Sequence, residues 1–581
     1  MMKTPSQFDS GEAPWERLES PVYSVAISNC QDTGGYHTFR EDIEYWGPRT
    51  SMSICSLAGI AWVKERVKLK QPDFQATAND FTQNVARMLK LEKQPTKRRK
   101  EEPGFDDALR FTKAFFEETP EAALGIVQRS CFESRLRSFY KSSKNEDNFS
   151  WFAMRNIIFA YGCRVVSSKT ASYSEAQQES WSYFENALSV HTEILCFRTS
   201  VMGAQALTLM AYFAEAVSCR MVQYILVATA YRLACGQGLH TRPSPSWKLP
   251  EGEKSLRQSV FWAIYCLDKQ ISCRSGRPSI IDDEEINCNL PNPNGTDGSV
   301  SMRYIQAYIK ISHLSSITRK MLSKAAGCRQ APQELVDNVL KLDVKLEDLR
   351  INLQNQCQID LPMKLTELPA GLDMRQAISL QFLYYNLVWD IHTTLAHPWF
   401  RDIIGLERYS EFQSQIVNSC AIVAETSRAV ILDCRLIQID ASCPMSVAYY
   451  SPLYAVVNLF IGILHDPSLG SSRTDLYLMD VATGYFARLE YSTDSQWSVP
   501  LVKDVAILAR SAVETPIGAP SHIHSDVENL PTANSSFSSP EPMSEPATDG
   551  NGITRDVRTP STQNTTVADS NQYLVAKLES E

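Results

Sequence analysis

Apolar residues recur at steps of three and four along most of the chain, and this spacing is typical of amphipathic helices. One long example follows Glu251 and Glu253, whose carboxylates suit the positive end of a helix dipole. Its apolar stripe, about five turns long, consists of Leu256, Val260, Ile264, Leu267 and Ile271. Gly276 and Pro278 follow, and both residue types end helices. The pattern therefore predicts a buried helix that stops near Gly276.

The same periodicity predicts helices on both sides of this one. They cover 75–91, two segments within 107–141 around Pro120, 151–166, 175–195, 201–233, 301–326, 332–356 and 375–396. Gly236 and Gly238 follow the region 201–233 and favour a helix end there, because glycine tolerates left-handed backbone angles. We therefore expect an all-α fold, a large multi-helix domain over residues 45–513.

Two apolar stretches allow a second interpretation. The helix over 332–356 has a near-heptad stripe, for which internal packing is favoured and a dimer seam is the alternative. That stripe consists of Leu335, Val339, Leu342, Leu346, Leu349 and Leu353. Residues 447–464 are the most apolar run, but they contain Pro452 and Asn458 and fall short of the ~20 apolar residues of a membrane span. We expect a buried helix there and no membrane insertion.

The two ends of the chain differ in composition from the middle. Residues 1–44 are mixed and punctuated by glycine and proline, which predicts a disordered N-terminal arm. Residues 514–581 are rich in Ser, Pro, Thr and Asn and have few large apolar side chains, so we expect a disordered tail. Its acidic piece 537–545 contains isolated apolar residues, which is compatible with a coactivator contact or with a plain tail.

Charge limits the functional classes. The formal net charge is −9, which argues against a nucleic-acid-binding surface along the whole chain. One basic run, Lys97, Arg98, Arg99 and Lys100, lies between Pro95 and Pro103 and is predicted to be an exposed loop. A nuclear localisation signal and a solvated linker are the main interpretations, and a phosphate-contacting patch is a third.

The fifteen cysteines are scattered, and the closest pair, Cys266 and Cys273, is seven residues apart. No Cys-x-x-Cys occurs, so the closely spaced ligand pairs of structural zinc sites are absent from this sequence. The first twenty residues are polar and do not form a secretory signal. We therefore expect reduced cysteines and no zinc or other cofactor.

Enzyme motifs give no catalytic residue. Ser138 and Lys141 match a Ser-x-x-Lys pattern that is short enough to arise by chance. The consecutive acids Asp282 to Glu285 would fan out rather than converge on a cation, so helix capping or a solvated face is favoured. An all-helical, metal-dependent enzyme of the terpene-synthase kind is a minor alternative that would need these carboxylates to face a cavity.

One series of short motifs resembles a known family. The blocks run in order: Gly238-Leu239-His240, Phe261-Trp262, Asp268, Gly276-Arg277-Pro278 and Leu290-Pro291. Together they resemble the middle homology region of fungal-specific transcription factors. The stretch from Gly47 to Val63 and the run from Leu395 to Phe400 are similar to other parts of that family's domain, although the second lacks an arginine that the family has.

The resemblance implies a nuclear transcription regulator that controls a specific set of genes, such as a metabolic or biosynthetic pathway. Most members carry an N-terminal zinc binuclear cluster, whose six cysteines this sequence does not supply. We therefore expect DNA contact through a DNA-binding transcription factor partner or a homodimer, with a truncated zinc-cluster factor as the alternative. For Arg277 we expect an ion pair with Asp268 or Asp282, and a small-molecule contact is the functional alternative.

Overall fold

The periodic apolar stripes of the sequence become helices that share one core. The computed structural model describes residues 25–28, 43–47, 49–67, 69, 72–89, 99–141, 148–197, 199–217, 219–291, 300–322, 331–369, 372–404 and 410–514. Two short antiparallel strands come first, β1 (Val25–Ser28) and β2 (Ile43–Trp46), with Val25 opposite Trp46. They are a small addition to the all-α class that the sequence predicts, and that class is confirmed.

Nine helices of the described residues precede the segment with the family motifs. They are α1 (Leu57–Arg66), α2 (Phe74–Leu89), α3 (Phe105–Glu118), α4 (Arg129–Lys141), α5 (Phe149–Ser167), α6 (Tyr173–Leu188), α7 (His191–Cys196), α8 (Val201–Ala216) and α9 (Arg220–Gly236). Helix α5 packs against α3, α6 and α8, and α9 packs against α8. Pro120 begins a short 3₁₀ turn between α3 and α4, as expected for a residue that cannot continue a helix.

The remaining described helices start with the central one. They are α10 (Glu251–Ser275), α11 (Val300–Leu322), α12 (Pro332–Cys357), α13 (Met374–Ala396), α14 (Pro398–Ile404), α15 (Gln413–Asp433), α16 (Ser451–His465), α17 (Ser472–Ser492) and α18 (Pro500–Glu514). Helix α10 packs against α8 and α9 on one side and α11 on the other, so it joins the two groups. One hydrophobic core runs from Trp46 to Ala509.

Two predicted helices are each divided in the structure. The segment 201–233 is the pair α8 and α9, which reverse direction around Val217, where the Cys219 amide donates to the Ala214 carbonyl at 2.7 Å. The segment 175–195 is α6 and α7, separated at Ser189 and Val190. Neither break contains glycine or proline, and both flanking helices bury apolar residues. Apolar periodicity therefore continues across each break, and the single-helix predictions are wrong.

The two ambiguous apolar stretches are both internal. In α12, Leu335, Val339, Leu342, Leu349 and Leu353 are buried, and the helix packs on α11 and α13. The run 447–464 forms a π turn (Ser446–Tyr450) followed by α16. Among the described residues, this is the one helix long and apolar enough to cross a membrane, and 78% of its apolar window is buried inside the protein. The predictions of internal packing and of a buried helix are confirmed.

The predicted disordered ends lie mostly outside the described residues. Within 1–44 the structure describes Val25–Ser28 and the first residues of β2, and beyond Glu514 it describes none. The coactivator segment 537–545 is therefore outside the described residues as well.

Candidate functional site

Two glycine turns meet at the C-terminal end of α10. The Gly47 amide donates to the Ser275 carbonyl at 3.0 Å. A Cβ at Gly47 would lie 2.9 Å from the Gly276 Cα, and a Cβ at Gly276 would lie 2.6 Å from the Gly47 Cα. Gly276 also has a φ of 71°, which favours glycine. The two backbones can touch only because neither residue has a side chain, and this explains the Gly-Arg-Pro turn in physical terms.

Two arginines hold this junction. Arg319 of α11 donates through Nη1 to the Ser272 carbonyl and through Nη2 to the Gly276 carbonyl, both at 2.8 Å. These are carbonyls at the negative end of α10, where a cation is favourable. Arg49 donates from Nη2 to the Asp390 carbonyl of α13 at 2.6 Å, and burial lowers its pKa. The turn after β2 therefore contacts both the end of α10, through Gly47, and α13, through Arg49.

Three charged residues lie beside the junction: Asp268 and Lys269 are buried, and Asp283 is partly buried. We call this group the closed cluster. Lys269 Nζ lies 3.2 Å from an Asp283 carboxylate oxygen and donates to Ser279 Oγ at 2.9 Å and to the Ile281 carbonyl at 2.7 Å. Asp268 accepts from Ser279 Oγ at 2.5 Å. Each charge therefore has its partners inside the protein, which is the condition for burying it at tolerable cost.

The two carboxylates of the closed cluster differ in their protonation equilibria. Burial raises the pKa of Asp268, against the hydrogen bond from Ser279 and the charge of Lys269. Burial also acts to raise the pKa of Asp283, but the hydrogen bond from Ser316, the charge of Lys269 and the hydrogen bond from Tyr265 together lower it. Asp283 is therefore the better-stabilised anion of the two.

The structure does not pair Arg277 with either predicted carboxylate. Asp268 belongs to the closed cluster, while Asp282 lies 3.0 Å from Lys320 and caps the 3₁₀ turn at Asp283–Glu285. The Arg277 guanidinium extends toward α9, where it contacts Met221 Sδ at 3.3 Å and the Tyr224 ring at 5.1 Å. The ion-pair prediction is wrong, because Asp268 accepts hydrogen bonds from Ser279 and the Ile280 amide while Asp282 pairs with Lys320.

Arg277 instead lines a small cavity between β2, α8, α9, α10 and the π turn, which we call the arginine cavity. Its volume is about 30 Å³. The lining residues are Trp46, Glu215, Arg220, Gln223, Tyr224, Ile271, Arg274, Ser275, Arg277 and Tyr450. Among these described lining residues there are three guanidinium groups and one carboxylate.

The contacts of the arginine cavity are specific. Arg274 Nη2 lies 2.7 Å from Glu215 Oε1. Arg220 donates from Nε to the Tyr450 hydroxyl at 2.8 Å and stacks over the rings of Trp46 and Tyr450, with its guanidinium carbon 4.7 Å and 3.7 Å from their centroids. Burial lowers the pKa of Arg220. Its partners are thus mainly neutral aromatic groups rather than carboxylates.

A second cavity shares Glu215 and Arg274 with the first, and we call it the hydroxyl cavity. Its volume is about 60 Å³. Its polar lining residues are Glu215, Gln270, Cys273, Arg274, Ser312, Ser315, Ser379, Asn386, Asp390, Ser446 and Ser451. Asn386 Nδ2 donates to Ser451 Oγ at 3.2 Å. Hydroxyl and amide groups dominate this lining, whereas arginine dominates the other.

The other motif residues serve packing in this structure. Gly238 has a φ of 69° just after α9, and Leu239 is buried. The His240 carbonyl accepts the Asn287 amide at 3.0 Å, which pins the loop after α9 to the segment after α10. Phe261 is buried in α10, and Trp262 Nε1 donates to the Asn289 carbonyl at 2.9 Å.

The basic run is partly attached to the helical domain. Lys97 and Arg98 lie outside the described residues. Arg99 is exposed and donates from Nε to Ser189 Oγ at 3.0 Å. The Lys100 amide donates to Asn186 Oδ1 and its carbonyl accepts from Asn186 Nδ2, both at 2.9 Å, while Nζ lies 4.3 Å from the Tyr183 ring centroid. The prediction of an exposed loop is therefore wrong for Lys100, which is half-buried.

The acidic run does not form a cation site within the described residues, where no group of three or more His, Cys, Asp or Glu side chains is placed to hold a metal ion. Asp283 is directed to Lys269 and Ser316, and Asp282 to Lys320. The geometry that the metal-dependent enzyme alternative requires is thus not present among these four acids. Cysteines of the described part, such as Cys266 and Cys273, are free thiols.

Sequence reasoning missed most residues of the arginine cavity. Glu215 lies near the end of the apolar helix α8, and Arg274 lies near the end of α10. If both segments are buried helices, each of these two charges needs a partner of opposite charge inside the protein. The sequence could therefore have predicted an ion pair between Glu215 and Arg274. Arg220 and Gln223 carry no sequence signal of this kind.

The chain is similar to a known protein family and to several named proteins. Residues 112–351 match the family model of the fungal specific transcription factor domain. An ABC-transporter-regulating transcription factor of Aspergillus fumigatus is 27% identical over 529 residues, covering 85% of this chain and 56% of that protein. The corresponding protein of Aspergillus oryzae is 26% identical over the same shares of both chains.

A shorter match involves the fusaridione A cluster transcription factor of Fusarium heterosporum, which is 27% identical over 213 residues, 35% of this chain and 39% of that protein. The chain thus spans about half the length of the Aspergillus relatives that it matches. No solved structure matches it.

Proposed function

We propose that the protein is a nuclear regulator of a specific set of genes, because residues 112–351 match the family model of the fungal specific transcription factor domain. The observation that carries the proposal is the similarity of 85% of the chain to proteins named as transcription factors. A metabolic or biosynthetic pathway is one such gene set. Membrane transport is another, since the Aspergillus relatives are named for regulating ABC transporters.

The proposal is tested by mapping the chromatin occupancy of the tagged protein and measuring transcripts in a deletion strain. We expect discrete occupied promoters whose genes change expression when the protein is removed. A protein that stays cytosolic, with unchanged transcripts in the deletion strain, would contradict the proposal.

For DNA contact we propose a DNA-binding transcription factor partner or a homodimer. The 581 residues contain no Cys-x-x-Cys for a zinc binuclear cluster, and the chain spans 56% of the Aspergillus relative. If occupancy disappears when a second factor is deleted, DNA contact is indirect. The alternative is a zinc-cluster DNA-binding factor of which this chain is a part, and a block of six closely spaced cysteines encoded just upstream would establish it.

A surface of α12 favours self-association among these options. The face opposite its buried stripe carries Leu340, Val344 and Ile351, which are 46%, 58% and 47% exposed and follow steps of four and seven. Exposed Lys341 and Asp348 flank them. In an antiparallel pair of α12 helices, Leu340 of each copy would pack near Ile351 of the other, and Lys341 would lie opposite Asp348. The complementary charges argue for a second copy of this chain as the occupant.

Sedimentation velocity over a concentration series tests this surface. We expect Val344→Lys to yield monomers, whereas Val481→Lys on the exposed face of α17 serves as the control and leaves association unchanged. Lys341→Asp weakens association, and adding Asp348→Lys restores it, because the double change reverses both charges. A wild-type chain that remains monomeric across the series, or a charge swap without rescue, removes this surface from consideration.

We also propose that the basic run directs nuclear import and that the acidic piece 537–545 contacts a coactivator. Replacing Lys97, Arg98, Arg99 and Lys100 with alanine should shift a fluorescent fusion to the cytosol. Exposed Lys364 and Lys503 provide a control pair outside the run. Unchanged nuclear accumulation would assign the run to the plain linker interpretation. Deleting 537–545 should lower reporter transcription without changing chromatin occupancy if the coactivator interpretation is correct.

A further inference from the structure

One exposed serine precedes a proline in the loop between α9 and α10. Ser244 is exposed, and Pro245 follows it. The ring of a proline lacks an amide hydrogen and restricts the preceding residue to extended angles. Ser244 accordingly has φ −61° and ψ 137°. Protein kinases bind the segment around the accepting hydroxyl in an extended form, so the loop presents Ser244 in a conformation that such an enzyme can bind.

The contacts of the Ser244 hydroxyl lie within the same loop. Its Oγ lies 2.7 Å from Ser246 Oγ and accepts the Ser246 amide at 3.3 Å. The Trp247 amide donates to the Ser244 carbonyl at 3.0 Å. These bonds belong to a short 3₁₀ turn (Pro245–Trp247), a type whose hydrogen-bond geometry is poorer than that of an α-helix. The turn buries none of its residues, so it can open to an enzyme without disturbing the core.

The structure describes two further hydroxyl residues that precede proline, and both are shielded. Ser451 is 2% exposed and has helical angles, φ −66° and ψ −42°, at the start of α16. Thr119 is half-buried, and its Oγ1 donates to the Phe115 carbonyl at 2.7 Å. Among the described Ser-Pro and Thr-Pro pairs, Ser244 is thus the one exposed acceptor.

The loop around Ser244 is basic. Arg242 and Lys248 are exposed, and residues 241–250 contain no acidic side chain. A phosphate group carries about −1.5 to −2 charges at neutral pH, so it would offset both cations. Its oxygens can also accept charge-assisted hydrogen bonds from them. The surface between α9 and α10 would therefore change from cationic to nearly neutral.

We infer that Ser244 is a phosphorylation site of a proline-directed protein kinase. The γ-phosphoryl group of ATP passes to Ser244 Oγ, where a new bond forms between oxygen and phosphorus. The bond from the γ-phosphorus to its bridging oxygen breaks, and ADP leaves with that electron pair. The hydroxyl proton goes to a base of the kinase. The modification changes the charge of the loop that joins α9 to α10 and leaves the core as it is.

The full-length protein, a mitogen-activated protein kinase and magnesium ATP provide the test, with phosphate on each peptide measured by mass spectrometry. We expect Ser244 to be modified at least ~10-fold faster than Ser451, because access to Ser451 requires local unfolding of α16. Measurement by peptide separates Ser244 from the Ser-Pro and Thr-Pro pairs outside the described residues. Tagged protein isolated from the cells that produce it should carry phosphate on the same residue.

Variants assign the acceptor and the class of kinase. Ser244→Ala should remove the phosphate from its peptide. Pro245→Ala keeps the hydroxyl and should slow its modification at least ~10-fold, as the loss of a specific ring contact with an enzyme pocket does. Pro250→Ala is the matched control, since that exposed proline of the same loop does not follow a serine, and it should react as the wild type. Circular dichroism checks that each variant folds.

Three results would overturn the inference. The first is an unmodified Ser244 peptide, with the purified kinase or in protein from cells, while other Ser-Pro peptides of the chain carry phosphate. The second is phosphate that persists on the peptide of Ser244→Ala, which would place it on Ser246. The third is a wild-type rate for folded Pro245→Ala, which would assign Ser244 to another class of kinase. Each result is independent of whether the protein regulates transcription.

Discussion

Two groups of buried charge lie on either side of the C-terminal end of α10, and they are balanced in different ways. In the closed cluster, Lys269 contacts Asp283 at 3.2 Å and two further oxygens of the same chain. In the arginine cavity, Arg274 pairs with Glu215 at 2.7 Å, whereas Arg220 contacts the Tyr450 hydroxyl and the rings of Trp46 and Tyr450. Opposite charges and hydroxyl groups therefore stabilise the first group, while aromatic faces stabilise part of the second.

The largest expected effect concerns the closed cluster. Lys269→Met should lower the free energy of unfolding by about 3–5 kcal/mol, because Asp283 would lose its closest cation inside the protein. Urea unfolding measures the change. Lys169→Met is the matched control, since that exposed lysine pairs with exposed Glu118 away from the cluster and its removal should change stability little. A loss no larger than that of the control would show that the closed cluster is not structural.

The second prediction breaks the junction that both charge groups share. Gly276→Ala should cost about 2–4 kcal/mol, because the new Cβ lies 2.6 Å from the Gly47 Cα and φ is 71°. Gly484→Ala in α17 is the control, since its Cβ would meet no heavy atom within 4 Å. That control should be neutral or stabilising, as alanine favours helix. Equal unfolding midpoints for the two variants would contradict the close approach of the two turns.

The third prediction extends the comparison to Glu121, which is a buried carboxylate. Burial raises the pKa of Glu121 to about 7, while the charge of Arg164 acts to lower this pKa and the charge of Glu215 acts to raise it. A raised pKa in the folded state means that its stability contribution is present below the unfolded value of 4.5 and is lost as pH rises through about 7. Wild-type stability should therefore fall by roughly 2–3 kcal/mol across this range through Glu121, and Glu121→Gln should remove that slope.

Urea midpoints at pH 4.5 to 8 test the slope for wild type and Glu121→Gln. Burial lowers the pKa of His397 to about 4, so its contribution to stability is lost as pH falls from 6.5 through about 4, but both proteins contain His397 and the difference between their curves isolates Glu121. Parallel midpoint curves for the two proteins would show that Glu121 is ionised throughout and that the charges around it outweigh burial.

The sequence predicts the helices far better than the charge contacts, and the reason is the range of each interaction. The stripe through Val260, Ile264 and Leu267 depends on spacing within one helix, and all three residues are buried as expected. The division of 201–233 was missed because apolar spacing continues through Val217 without glycine or proline. Local patterns therefore specify helices but do not always mark where two helices are joined.

The candidate site depends on residues that are far apart in the chain. Gly47 meets Gly276, and Glu215 meets Arg274, across separations that no local pattern encodes. Arg277 was identified from its motif, yet its predicted pairing was wrong because Ser279 holds Asp268 and Lys320 holds Asp282. The motif therefore marks the correct turn, while the partners of its side chain follow from tertiary packing.

The smallest expected effect is that of Gln223→Leu on the free energy of unfolding. It is informative because this variant should not lose stability, whereas a variant of the closed cluster should. Gln223→Leu removes a buried donor that has no acceptor within the described residues, so the free energy of unfolding should stay constant or rise by up to ~1 kcal/mol. Gln205→Leu on α8 is the matched control, since Gln205 Nε2 donates to the Ile126 carbonyl at 2.6 Å and its loss should cost about 1–3 kcal/mol. Urea unfolding of both variants provides the measurement. If Gln223→Leu loses as much stability as Gln205→Leu, Gln223 has a structural partner in the folded protein.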